Sequence, residues 1–261
     1  MTPMQIAGYL AHARTRGYKQ RLQRALSMIA EHPDYCVSIS WGKDSLCILH
    51  MALEVHGHAK AVHARYSENE ELPDMPGVRQ AFLDRFGGVD YHEAPVWGDW
   101  EIYQRAGRFF LAPETPKERR IVADWHQEFV DSIDSVTLST GAKGKILGLA
   151  AHESRGRAMN IYKLGEHYQT QVEALPKLLP IAHWHPEDVW AYMLTHNLPR
   201  LKIYDFADDP ERARSEVAFA AIGAEAADAV RRHGAWRLWA DCYPELWKKW
   251  TDKYPEISSL C

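Results

Sequence analysis

The chain has 261 residues, 46% of them hydrophobic and 25% charged, with a formal net charge of −4. That size and composition suit one large α/β domain, or such a domain with a small appendage. The net charge excludes a molecule that holds nucleic acid through its overall field, though a local basic patch is still allowed.

No run approaches the roughly 18–20 apolar residues needed to span a bilayer, so no membrane partner is expected. The N-terminal stretch lacks the compact apolar core and cleavage site of a secretory signal. Its arginines leave a transit peptide as the alternative to a helical start. Ile6, Leu10 and Ala13, then Leu22, Leu26 and Ile29, recur at helical spacing and lead directly into a strand. The four cysteines, Cys36, Cys47, Cys242 and Cys261, form no C-x-x-C pair. Their spacing points to a reducing cytoplasm, to no disulfide framework and to no iron–sulfur cluster.

Five apolar runs read as strands: Tyr35–Ser40, Lys60–Tyr66, Val89–Pro95, Lys145–Ala151 and Leu178–Trp184. Helical patterns separate them at Ser45–Val55, Met75–Phe86, Lys117–Ser132 and Pro186–His196. Strand and helix alternating at this pitch predict βαβ units, hence a doubly wound, mainly parallel sheet with helices on both faces. The polar stretch 205–214 predicts a boundary, giving a nucleotide-binding domain over 1–204 and a C-terminal helical extension over 205–261. That extension holds an Ala-rich helix (Ser215–Arg232) and Trp236, Trp239, Trp247 and Trp250. Its tryptophans either pack a small lid onto the main sheet or offer a surface to a partner protein.

The first strand stops at Trp41-Gly42 and a helix begins near Asp44. A turn at the C-terminal end of a strand, feeding a helix N-terminus, favours phosphate through backbone N–H groups and the helix dipole. In Ser40-Trp41-Gly42-Lys43-Asp44-Ser45 the glycine lets the backbone approach, the serines offer hydroxyls and Lys43 adds a charge. Asp44 caps the helix or shares in Mg²⁺ binding. The Walker A pattern is absent. After the fourth strand come Glu153, Ser154, Arg155 and Arg157, placed to hold a phosphate or sulfate at the same sheet edge. After the second strand, Tyr66 and Ser67 stand where ribose or adenine contacts form in such sheets. Pro113–Arg120, basic and proline-marked, reads as a surface helix start or as a contact for an acidic substrate or nucleic acid. His56 and His58, like His183 and His185, are paired without a third ligand near in sequence, so packing roles are expected for them.

The loop resembles the S-G-G-K-D-S PP-loop of the ATP pyrophosphatase and PAPS reductase superfamily, the adenine nucleotide α-hydrolases. Gly148 to Arg157 resembles the G-x-R-x-x-E-S-x-x-R segment of PAPS reductase-like proteins. Leu179 to Tyr192, then Asn197-Leu198-Pro199 and Tyr204-Asp205, resembles their P-I-x-x-W-x-x-x-D-V-W-x-Y…N-L-P…Y-D run. The resemblance spans about residues 35–205 and implies a Rossmann-like fold. It implies nucleotide contacts from Ser40, Trp41, Gly42, Lys43, Asp44, Ser45, Tyr66, Ser67 and Gly148. It further implies anion contacts from Glu153, Ser154, Arg155 and Arg157, with Lys43, Asp44 and Arg157 catalytic. The cofactors it implies are ATP, or PAPS or APS, with Mg²⁺ on Asp44.

The sequence departs from the pattern at Trp41, where relatives have glycine, and at Ala150, where they often carry arginine. If the first of these positions needs φ > 0, the loop must differ slightly to take a tryptophan. Neither late cysteine sits in the E-C-G-x-H-like context of the sulfonucleotide reductases. The leading expectation is therefore cleavage of ATP between its α- and β-phosphates, in support of sulfur transfer or of nucleic-acid or small-molecule modification. Alternatives are PAPS or APS reduction and a non-catalytic nucleotide-sensing subunit. An adenine nucleotide, a sulfur-donor or nucleic-acid-modification protein and a second copy of the chain are the expected partners.

Overall fold

The computed structural model describes residues 1–68, 70–206 and 240–260. The expected helix at 215–232, with Trp236, Trp239 and Cys261, lies outside the described residues. Two helices, α1 (Pro3–His12) and α2 (Arg16–Ala30), precede β1 (Tyr35–Ile39). Then follow α3 (Lys43–His56), β2 (Ala59–Arg65), α4 (Met75–Phe86), β3 (Val89–Pro95), α5 (Asp99–Ala106), α6 (Pro116–Ser139) and β4 (Gly144–Leu147). A 3₁₀ turn at Ala151–Glu153 leads to α7 (Arg155–Leu164), β5 (His167–Tyr168), β6 (Lys177–Leu178), α8 (Pro186–Thr195), the short α9 (Ile203–Phe206) and α10 (Pro244–Lys253).

The strands form one sheet in the order β3-β2-β1-β4-β6-β5. All neighbours are parallel except β5 and β6. This is the expected α/β class, with the sequence order reversing direction between β1 and β4. Alternate residues of the central strands serve opposite faces. Val37, Ile39 and Ala61 join the main core with Leu46, Leu49, Phe82 and Val189 from α3, α4 and α8. Cys36 and Val62 pack on the other face with Ala94, Ala142 and the α6 residues Ile133 and Val136.

Two expected strands come out shorter. The run at 145–151 stops at Leu147, and the run at 178–184 gives only the end of β6 before turning. The first has a packing cause. A Cβ on Gly148 would lie 2.9 Å from the Asp44 carbonyl carbon and the Ser45 nitrogen, so the chain leaving β4 lies directly against the first turn of α3. The short β5, α5 and α7 are additional elements.

Helix α8 shows how the motif run builds the frame. The Asp188 carboxylate accepts from the His185 N–H at 2.7 Å, closing the N-terminus of α8. It also accepts two bonds from Arg21 on α2, at 2.7 and 2.8 Å, and pairs with His12 on α1 at 2.8 Å. One fully buried carboxylate thus locks three helices together. At the other end of the chain, Cys242, Tyr243, Leu246, Trp250, Tyr254 and Ile257 enter the main core. Trp250 meets Trp100 edge-on at 4.9 Å. No described helix is long and apolar enough to cross a membrane.

Candidate nucleotide site

Ligands of open α/β sheets gather at the carboxyl ends of the strands, where the strand order reverses. Here that point lies between β1 and β4. The segment 40–45 leaves the first of these strands and 148–157 leaves the second.

The 40–45 loop is closed by its own hydroxyls. Ser45 Oγ donates to the Gly42 carbonyl at 2.9 Å and accepts from the Ser40 N–H at 3.2 Å. It lies 3.1 Å from Ser40 Oγ. Gly42 is the N-cap of α3, whose first turn holds Lys43 and Asp44. Trp41 has φ 59°, so the position does require the left-handed region, and the tryptophan adopts it. The indole is wholly buried, packing near Phe82, Tyr91 and His63 at 5.6–6.5 Å, and that burial offsets the backbone cost.

The charged residues are engaged with one another. Lys43 Nζ lies 3.2 Å from both Asp44 carboxylate oxygens, and both residues are fully buried. On the facing segment, Arg157 pairs with Glu153. Glu153 also accepts from the Ala150 N–H at 2.9 Å, and the Ser154 hydroxyl caps α7 by accepting from the Arg157 N–H at 3.1 Å. Arg155 is exposed. Ala150 is buried and contributes only its backbone. At the end of β2, Tyr66 stacks on Phe129 at 6.4 Å, and burial pushes its phenol pKa up. The Ser67 hydroxyl is buried with no hydrogen-bond partner among the described residues.

Two residues without an assigned role in the sequence join this site. The Tyr204 hydroxyl accepts from the Lys43 N–H at 3.3 Å, and its ring meets Trp190 edge-on at 5.3 Å. The D-V-W…Y-D run therefore reaches the 40–45 loop through Tyr204. His63 bonds the Ile39 carbonyl at 2.9 Å, and burial pulls its pKa down, keeping it neutral. The Y-D dipeptide was a visible signal for Tyr204. Nothing in the sequence distinguished His63 from a core histidine.

Residues 141–228 match the family model of the phosphoadenosine phosphosulfate reductase domain. The resemblance to PAPS reductase-like proteins holds. The match covers about a third of the chain, and the 40–45 loop lies outside it. No curated protein matches. One similar solved structure is the PAPS reductase from Candida auris in its phosphate complex, 13% identical, covering 78% of this chain and 92% of that one with a TM-score of 0.46. Another is the U34-tRNA thiolase NcsA from Methanococcus maripaludis with its [4Fe-4S] cluster, 12% identical, covering 92% and 80% with a TM-score of 0.47.

That thiolase carries a [4Fe-4S] cluster, so the expectation of no iron–sulfur cluster does not stand. The described cysteines nevertheless do not cradle a cluster. Cys36 is buried in the α6-side core, while Cys47 and Cys242 are buried in the main one. Asp44 is buried, its carboxylate paired with Lys43.

Proposed function

We propose that this chain binds an adenine nucleotide at the switch point between β1 and β4 and cleaves ATP between its α- and β-phosphates. The observation that carries the reading is the contact of Gly148 with the Asp44–Ser45 backbone, which brings the two ligand-edge segments together at the N-terminus of α3. The first-turn N–H groups and dipole of α3 attract phosphate there.

An acceptor oxygen attacks the α-phosphorus. The bond from that phosphorus to the bridging oxygen breaks, pyrophosphate leaves and the acceptor proton passes to solvent. With water as acceptor the products are AMP and pyrophosphate. Lys43 and Arg157 neutralise charge, each exchanging its carboxylate partner for phosphate oxygens. Ser40 and Ser45 supply hydroxyls, and the orphaned Ser67 hydroxyl gains a partner on the nucleoside side.

A second reading, reduction of a sulfonucleotide, is favoured by the PAPS reductase domain match over 141–228. It needs a thiolate to attack sulfur. Cys242 is poorly suited, since it is buried and burial raises its pKa. Cys261 is then the nucleophile the reading requires.

Both readings are tested by incubating the protein with ATP, APS and PAPS, the latter two with a thiol reductant, and weighing the products. AMP or an adenylate with pyrophosphate is expected. It should be lost at least tenfold in Arg157→Ala and retained within about tenfold in Cys261→Ser, about 1.4 kcal/mol of activation free energy per factor of ten. Sulfite release abolished by Cys261→Ser overturns the cleavage reading in favour of reduction.

A further inference from the structure

We propose that His50, Glu54 and His196 bind one divalent transition-metal ion of the Zn²⁺ class where the second half of α3 meets the end of α8. His50 and Glu54 stand four residues apart on α3, on one face of the helix. Tyr192 and His196 stand four apart at the end of α8, which packs against α3.

The spacing of the ligand atoms is that of a coordination shell. Glu54 Oε1 lies 3.5 Å from His196 Nδ1, and Glu54 Oε2 lies 3.7 Å from His50 Nδ1. One ligand atom from each of the three residues falls within 4.8 Å of the other two. A tetrahedral ion with bonds of about 2.0–2.1 Å holds its ligands about 3.4 Å apart, so small side-chain movements close the shell. Two imidazoles and one carboxylate suit Zn²⁺ and its neighbours better than Ca²⁺ or Mg²⁺, which take oxygen ligands.

The surroundings also fit. His50 is buried, while the Glu54 side chain is 41% exposed, leaving an entry path and room for a water as fourth ligand. Tyr192 Oη lies 2.8 Å from His50 Nδ1 and donates to Glu54 Oε2 at 2.8 Å. With an ion bound, the phenol keeps the bond to Glu54 and orients the carboxylate, as outer partners of metal ligands do. The His50 ring then carries its proton on Nε2 and turns Nδ1 to the metal. Arg85 donates to the His196 carbonyl at 3.0 Å. The site is separate from the phosphate loop, since His50 lies about 10 Å along α3 from Lys43 at 1.5 Å per residue. The paired histidines singled out by spacing are engaged elsewhere: His56 with the Ile29 carbonyl and His183 with Glu166.

The test is made on the full chain after chelator treatment. Zn²⁺ is titrated by calorimetry, and Co²⁺ is followed by the visible absorbance of its imidazole complex. One ion per chain is expected, together with a Zn²⁺-dependent rise in Tm. Glu54→Gln and His196→Gln, both at partly exposed positions, should each weaken binding at least tenfold with unchanged circular dichroism. A wild-type protein that takes up no ion, or two folded variants that bind Zn²⁺ as tightly as wild type, overturns the proposal.

Discussion

Trp41 shows how one side chain can hold a backbone conformation that its own type disfavours. A bulky residue at φ 59° carries a strain of about 1–3 kcal/mol. Burying the whole indole contributes more than that, since removing a buried tryptophan side chain typically costs about 3–5 kcal/mol. Trp41→Gly relieves the strain and empties the pocket beside Phe82 and Tyr91. It should lower stability by a net of about 2 kcal/mol in urea denaturation. A variant as stable as wild type would show that the indole does not anchor the loop. The departure from glycine at this position was plain in the sequence. Its consequence was not, because the sequence does not show that Phe82, Tyr91 and His63 converge on the same spot.

At the scale of elements, Asp188 is the connection with the largest reach. Burial raises its pKa, but the bonds from Arg21, the His185 N–H and His12 outweigh that and leave it below the ordinary carboxylate value. A carboxyl depressed by folding contributes stability above its unfolded pKa of about 3.9 and loses it as pH falls through the folded value. Asp188→Asn should therefore be less stable than wild type at pH 7, by about 1.5–3 kcal/mol for the charged hydrogen bonds lost. The gap should narrow as pH drops below about 4. Thermal melts of both proteins at pH 7 and pH 3 check this; a gap that stays constant would deny the carboxylate its role. The first turn of α8 was legible, since Pro186, Glu187 and Asp188 spell a helix start. The reach of Asp188 to α1 and α2 was not, because those partners lie 167 and 176 positions away. Strand ends were read too long after β4, where close approach to α3 at Gly148 overrides the apolar run.

For the molecule as a whole, the sheet class followed from the alternating pattern of strands and helices. The composite sites did not. His50 and Glu54 are visible at helical spacing, yet His196 joins them only because α8 folds against α3. The C-terminal tryptophans raise a related question, whether the tail folds with the sheet or beside it. Trp250 is wholly buried, contacting Trp100, Tyr103 and Tyr254. The Asp74 carboxylate accepts from the Tyr243 hydroxyl at 2.8 Å and from the Lys202 N–H at 2.7 Å, tying the tail to the start of α4. Trp250→Ala should thus weaken one cooperative unfolding transition by about 3–5 kcal/mol. Fluorescence and circular dichroism should report the same midpoint. A separate early transition in the variant, with the sheet unaffected, would mean that the tail is an independent unit.

The two borders of the sheet carry a consequence for crowding. A border strand offers unpaired backbone groups to any passing chain, a route to runaway aggregation. On one border β5 is only two residues long, too short to template a neighbour. On the other, β3 carries Asp90, His92 and Glu93 and ends at Pro95, which has no N–H to give. Strand addition is thereby disfavoured at both borders formed by the described residues, which leaves helices and loops as the better surfaces for a second copy of this chain.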